Sequence, residues 1–201
     1  HCDATLSAAR ARLQGFAGIQ PHPEPSGFRG TLRAYQREGL GWLQFLHEFE
    51  WGGCLADDMG LGKTIQLLAL LVARRHAGDS GPALVVAPRS LIFNWAREAE
   101  RFAPDLRVLD YTGLERHARR DALPGCDLVL STYGTLRRGI EFLSTVDFNY
   151  VVLDEAQAVK NPNSLSAKAA RILRARHRLV MTGTPVENDL GDLWSLFEFL
   201  N

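Results

Sequence analysis

The 201 residues, 46% of them apolar, suffice for one compact domain with a sizeable core, or for one domain with a short appendage. Lys and Arg balance Asp and Glu at 23 each, so bulk charge marks no nucleic-acid binder and any contact with DNA must be local. No apolar run approaches the roughly 18–20 residues that cross a bilayer, and residues 1–30 show neither a basic start nor an apolar signal core, which excludes a spanning or secretory reading and points to an intracellular protein.

The chain opens on His1 and closes on Asn201 straight after a helix-like segment, as an excised piece would. Residues 4–14 read as a short helix capped by Asp3, and Gly15 to Gly30, with Pro21, Pro23 and Pro25, as a linker. The main domain begins near Thr31, a candidate cap, where Leu32, Tyr35, Leu40, Trp42, Leu43, Leu46 and Phe49 recur at helical spacing. Short apolar strands then alternate with amphipathic helices. The strand candidates are Gly53 to Ala56, Ala83 to Ala87, Arg107 to Tyr111, Asp127 to Ser131, Tyr150 to Asp154 and Arg178 to Met181. Runs such as ALVVA, DLVLS and YVVLD are apolar on both faces, which predicts an α/β fold, a mostly parallel central sheet with helices on both faces. In such sheets ligands bind beyond the carboxyl ends of the strands. Cys2, Cys54 and Cys126 form no CxxC pair and read as reduced thiols, the latter two in or near the core. Trp42, Trp95 and Trp194 lie on helix faces among Leu and Phe, so core packing is the expectation for them rather than base stacking.

The sharpest local signal is Asp58-Met59-Gly60-Leu61-Gly62-Lys63-Thr64, directly after a strand and directly before the helix IQLLALLVARR. A glycine-rich turn there aims backbone N–H groups at phosphate oxygens, the helix N-terminus adds its dipole, Lys63 reaches the β and γ phosphates, and Thr64 is a magnesium ligand. Asp57 stands where the full pattern has its first glycine. The second signal, Asp154-Glu155-Ala156-Gln157, follows YVVLD about ninety residues beyond the lysine. Alone, an acidic pair after a strand reads as a solvated helix start. With the phosphate loop upstream, Asp154 is assigned to the metal and Glu155 to the attacking water.

Leu32-Arg33-Ala34-Tyr35-Gln36-Arg37-Glu38-Gly39 with Trp42, the run Leu55 to Gln66, and Met181-Thr182-Gly183-Thr184-Pro185-Val186-Glu187-Asn188 resemble, in order and spacing, successive motifs of the Swi/Snf-type DNA-dependent ATPases of helicase superfamily two. Asp57 is what that family carries in place of the first glycine, and Asp192-Leu193-Trp194-Ser195-Leu196-Phe197 is similar to its closing segment. The resemblance covers roughly residues 31–201 and implies an N-terminal RecA-like ATP-binding lobe, with residues 1–30 unmatched. It further implies that Gln36 reads adenine, that Thr182, Gly183 and Thr184 couple the γ-phosphate to the nucleic-acid side, and that Gln157, in place of the family's commoner His, contacts that coupling segment. In that family the segments holding Arg89 and Ser90, and Ser131, Thr132 and Tyr133, correspond to ones that grip a strand of duplex DNA through its phosphates, and Lys160 is a candidate for the same groove. For each of these Ser or Thr residues a plain helix cap is the alternative, and for Lys160 a solvated turn.

The function expected is ATP hydrolysis with Mg²⁺, coupled to translocation on double-stranded DNA and to remodelling or displacing bound proteins. An arginine finger normally comes from a second lobe, so the piece itself is expected to bind nucleotide weakly and to be nearly inactive. Expected partners are double-stranded DNA, the second RecA-like lobe and a nucleoprotein or RNA polymerase target, with no membrane, in the cytoplasm or nucleoid of a bacterium or the nucleus of a eukaryote. The alternatives are another phosphate-loop NTPase or a nucleotide-gated protein-docking module.

Overall fold

The computed structural model describes residues 18–201 apart from Met59, Ser80, Lys160 and 185–189, and of Leu190 and Asp192 the backbone alone. The helix expected over 4–14 and the roles expected of Met59 and Lys160 lie outside the described residues.

In chain order the elements are α1 (Ala34–Phe49), β1 (Gly53–Leu55), α2 (Lys63–His76), β2 (Ala83–Ala87), α3 (Arg89–Phe102), β3 (Val108–Asp110), a 3₁₀ segment (Glu115–Gly125), β4 (Leu128–Thr132), α4 (Tyr133–Leu143), β5 (Asp147–Asp154), a 3₁₀ turn (Ala156–Val159), α5 (Leu165–Ile172), β6 (Arg174–Met181) and α6 (Leu190–Leu200). The strands form one sheet in the order β1-β6-β5-β2-β4-β3, every pairing parallel. Successive residues of a strand face opposite sides. Along β2, Ala83, Val85 and Ala87 therefore enter the layer under α1, α2 and α3, with Leu40, Leu67, Leu68 and Trp95. Leu84 and Val86 enter the layer on the other face, with Leu136, Leu143, Ala170, Leu196 and Phe199. Burial on both faces explains the unbroken apolar runs.

Three local expectations are revised. The cap of α1 is Arg33, not Thr31, and Gln36 Oε1 accepts the Arg33 N–H at 2.9 Å. β6 begins at Arg174, not Arg178: β1 pairs only with Leu179 to Met181, so residues 174–178 pair with β5 alone and their free edge tolerates polar residues that read as non-strand. Trp194 is 66% exposed, since α6 turns Leu196, Phe199 and Leu200 inward and Trp194 and Phe197 away. Trp95, by contrast, is fully buried, and Trp42 packs against the core.

Residues 18–30 hold no helix or strand, as their Pro and Gly content implies, yet they are fastened to the domain. Glu24 accepts the Leu32 N–H at 2.5 Å and Arg37 at 2.9 Å, which holds its carboxyl down at about 2, and Phe28 stacks on Phe102. Burial pushes the Cys54 thiol up to about 11, so this half-buried sulfur stays protonated. Among the described residues no helix is long and apolar enough to cross a membrane.

Candidate active site

The carboxyl ends of β1, β6 and β5 lie level, since Met181 is paired with both Leu55 and Asp154. The loop after β1 turns through Gly60 and Gly62, at φ of 84° and 79°, and delivers Lys63 as the first residue of α2. A Cβ at Gly62 would stand 2.6 Å from Gln36 Nε2, so glycine is required there by conformation and by space. Lys63 is 7% exposed and donates to the carbonyls of Asp57 (2.6 Å) and Asp58 (3.1 Å). Asp57 Oδ2 in turn accepts from the fully buried Gln66 amide at 2.9 Å. Tyr35 Oη and Gln36 Nε2 each donate to the Leu61 carbonyl at 3.0 Å. Gln36 thus braces the loop from beneath, and its amide keeps one N–H and one lone pair for a further partner.

Asp154 ends β5 at 5% exposed. Its Oδ2 accepts the Trp95 indole N–H at 2.8 Å, its Oδ1 accepts the Glu155 N–H at 3.0 Å, and its carbonyl accepts the Tyr133 hydroxyl at 2.8 Å. Burial raises its pKa, with Glu155 pushing the same way, while the Trp95 hydrogen bond and the Lys63 charge pull it back. Glu155 is held at φ 45°, the left-handed region that residues with a Cβ rarely adopt. From it runs a polar relay. Gln157 Nε2 donates to Glu155 Oε2 at 3.1 Å and to Thr184 Oγ1 at 3.3 Å, the Thr184 N–H donates to Thr182 Oγ1 at 3.2 Å, and the Thr182 N–H closes on the Leu55 carbonyl at 3.2 Å.

Of these groups Gly60, Gly62, Lys63, Asp154 and Glu155 face one cleft of about 370 Å³, which Thr64 lines as well. One ammonium, a helix N-terminus, a hydroxyl and three carboxylates, Glu98 beside Asp154 and Glu155, around such a space suit a polyphosphate and a divalent cation. The donor set fits magnesium, which takes one or two carboxylates and fills its remaining positions with phosphate oxygens and water. No cluster of three or more His, Cys, Asp or Glu side chains able to hold a metal occurs among the described residues.

The segments expected to meet DNA divide. Arg89 and Ser90 are exposed in the first turn of α3, which no side chain caps. Thr132, half-buried, caps α4 by accepting the Thr135 N–H at 3.1 Å. Ser131 and Tyr133 are turned inward instead: Ser131 is fully buried with its hydroxyl toward the Tyr111 carbonyl at 3.4 Å, and the Tyr133 hydroxyl is spent on Asp154. Sequence reasoning reads Trp95 as core packing and Tyr133 as a DNA contact, and gives Gln66 within the loop motif no role, so the parts these three play at the site were not foreseen. The only available signal was that a buried indole or phenol needs a polar partner, and the sequence does not say which.

A family model described as the SNF2-related domain matches residues 35–201. YwqA of Bacillus subtilis, named as a candidate ATP-dependent helicase/translocase, is 42% identical over 194 residues, covering 94% of this chain and 21% of that protein. The TATA-binding protein-associated factor MOT1 of Saccharomyces cerevisiae is 36% identical over 216 residues, covering 97% of this chain and 12% of that protein. Among solved structures, the Sulfolobus solfataricus SWI2/SNF2 ATPase core in complex with dsDNA is 39% identical with a TM-score of 0.83, covering 92% of this chain and 38% of that one. The chain thus spans about a fifth of the length of the bacterial relative.

Proposed function

The chain belongs to the SNF2-related domain family as the N-terminal lobe of a Swi/Snf-type ATPase, and from that premise we propose that it binds ATP with Mg²⁺ and drives translocation on double-stranded DNA. The observation that carries the reading is the convergence of Lys63, Thr64, Asp154 and Glu155 on one cleft.

In this reading the backbone N–H groups after Asp58 and the Lys63 ammonium take the phosphates, and Lys63 exchanges its two loop carbonyls for phosphate oxygens. Thr64 and Asp154 would hold magnesium, which when bound neutralises developing charge on the phosphates. Glu155 orients the attacking water. Gln36, beneath the loop, offers its remaining N–H and lone pair to adenine. The relay Glu155–Gln157–Thr184–Thr182 carries the state of the γ-phosphate away from the cleft, and Arg89, Ser90 and Thr132 hold DNA phosphates with little sequence preference and with affinity that falls as salt rises. In this reading a finger from a second lobe would neutralise the far side of the γ-phosphate, and the chain alone would turn over very slowly. The targets displaced would be proteins bound to DNA, a nucleoprotein or RNA polymerase among them.

The test is ATP turnover by this lobe joined to its second lobe, with duplex DNA, single-stranded DNA or neither. Duplex-stimulated turnover that Lys63→Ala abolishes is expected. Turnover indifferent to every nucleic acid would overturn the motor.

A further inference from the structure

Both ends of the peptide group between Asp154 and Glu155 are pinned. Its carbonyl accepts the Tyr133 hydroxyl at 2.8 Å, and its N–H is held by the Asp154 carboxylate at 3.0 Å. The other oxygen of that carboxylate is fixed by the Trp95 indole at 2.8 Å. Together these contacts maintain the left-handed turn at Glu155, whose φ is 45°, and a turn of that kind persists only where its surroundings over-determine it.

The two outside donors come from elements that begin at the same end of the sheet. Trp95 lies on α3, which starts at Arg89 directly after β2, and Tyr133 is the first residue of α4, directly after β4 and the Thr132 cap. β2 and β4 are neighbours, and β5 adjoins β2. Packing alone would be served by phenylalanine at Tyr133, and by any large aromatic ring at Trp95. What distinguishes these buried rings is the polar atom that each aims at Asp154.

We infer that Trp95 and Tyr133 are positioning residues through which the starts of α3 and α4 set the orientation of the Asp154 and Glu155 carboxylates. A ligand that shifts the first turn of either helix moves a donor bonded to Asp154, and the turn at Glu155 follows. This rests on the proposed reading of the cleft and gives it a second route to the DNA-facing side, separate from the relay through Gln157 and Thr184.

The test uses Tyr133→Phe, which keeps the ring and removes one donor, and Trp95→Phe, which keeps an aromatic ring but removes the indole N–H together with some buried volume, in the 201-residue chain. A fluorescent ATP analogue is titrated with and without Mg²⁺, and thermal melts are recorded alongside. Each variant is expected to keep Mg²⁺-free affinity within about twofold of the parent, while the gain in affinity on adding Mg²⁺ shrinks about two- to tenfold, the range that one net hydrogen bond supports. In the two-lobed protein, kcat at saturating duplex should fall by a similar factor with KM for ATP little changed. Variants that retain the full Mg²⁺ gain and the full kcat would make the two rings packing residues only and overturn the inference, with the cleft reading intact. Equal losses with and without Mg²⁺, accompanied by a lowered melt, would overturn it likewise. A parent chain with no Mg²⁺ gain at all would bring down the cleft reading and the inference with it.

Discussion

Gln66 donates its side-chain amide to Asp57 Oδ2 at 2.9 Å, from a site with no solvent exposure. Asp57 is the position where the common phosphate-loop pattern has glycine, and the bond explains what the carboxylate does: it anchors the start of the loop to the first turn of α2. Gln66 Oε1 has no hydrogen-bond partner among the described residues, so Asp57 is the amide's tie.

Asp57→Gly therefore leaves a buried amide wholly unpaired. An unsatisfied buried group costs about 1–3 kcal/mol, and at roughly 2–4 °C per kcal/mol for a domain of this size the melting temperature should fall by about 2–12 °C. Asp57→Asn, which keeps an acceptor oxygen, should recover most of the loss. Calorimetry on the three chains checks it, and an unchanged melting temperature for Asp57→Gly would contradict the anchor.

Gly62→Ala tests the loop geometry. At φ 79° any Cβ is strained, and here it would also press on Gln36 Nε2. The left-handed conformation costs about 1–2 kcal/mol, and displacing Gln36 removes its bond to the Leu61 carbonyl. Nucleotide affinity should fall by about tenfold or more while the circular-dichroism spectrum stays that of the parent. Gly113→Ala, at φ 71° in open space, is the control: similar strain, with affinity unchanged.

Gln157→Ala cuts the relay between Glu155 and Thr184. Neither contact holds the phosphate loop, so nucleotide affinity should stay within about twofold, whereas duplex-stimulated turnover of the two-lobed protein should drop by roughly twofold to a hundredfold, one or two net hydrogen bonds' worth. Steady-state kinetics with and without duplex separates the two effects. An equal fall in basal and stimulated rates would place Gln157 outside the coupling.

The layered parallel sheet was legible because β2, β4 and β5 are apolar on both faces, and the phosphate loop because its glycines need positive φ. The first half of β6 was not, since RARHR gains strand geometry only from its pairing with β5. Trp194 misled for a related reason: α6 is apolar on more than one side, and periodicity does not say which side meets the sheet. At the site, residues adjacent to a motif were readable, but Trp95 lies 59 positions from Asp154, and no local pattern announces a contact made by strand order. Ser131 and Tyr133 follow the same logic: the end of β4 was recognised, but that Ser131 is buried in the sheet and that Tyr133, opening α4, turns its hydroxyl to Asp154 depends on the neighbouring strands.

At the opposite end of the sheet, His177 offers a prediction independent of nucleotide. It pairs in register with Tyr150 and stacks on it at 4.8 Å, with the His47 ring 4.4 Å away. His47 Nδ1 meets the Tyr150 hydroxyl at 2.6 Å, while neither His177 nitrogen has a hydrogen-bond partner among the described residues. Burial, reinforced by His47 and Arg176 against the weaker pull of Glu50 and Asp79, holds the His177 pKa down at about 4. The unfolded chain, titrating near 6.5, thus binds more protons between those values, so the stabilising neutral ring is fully present above pH 6.5 and its contribution is lost as pH falls toward 4. The loss amounts to at most about 3 kcal/mol, and His47, whose pKa burial also lowers, adds to it in the same direction. His177→Phe keeps the stack and removes the titration. Urea midpoints of the parent should fall markedly from pH 7.5 to 4.5, those of the variant by less, and the two should be similar at pH 7.5. Parallel slopes for parent and variant would show that the ring titrates no differently folded than unfolded.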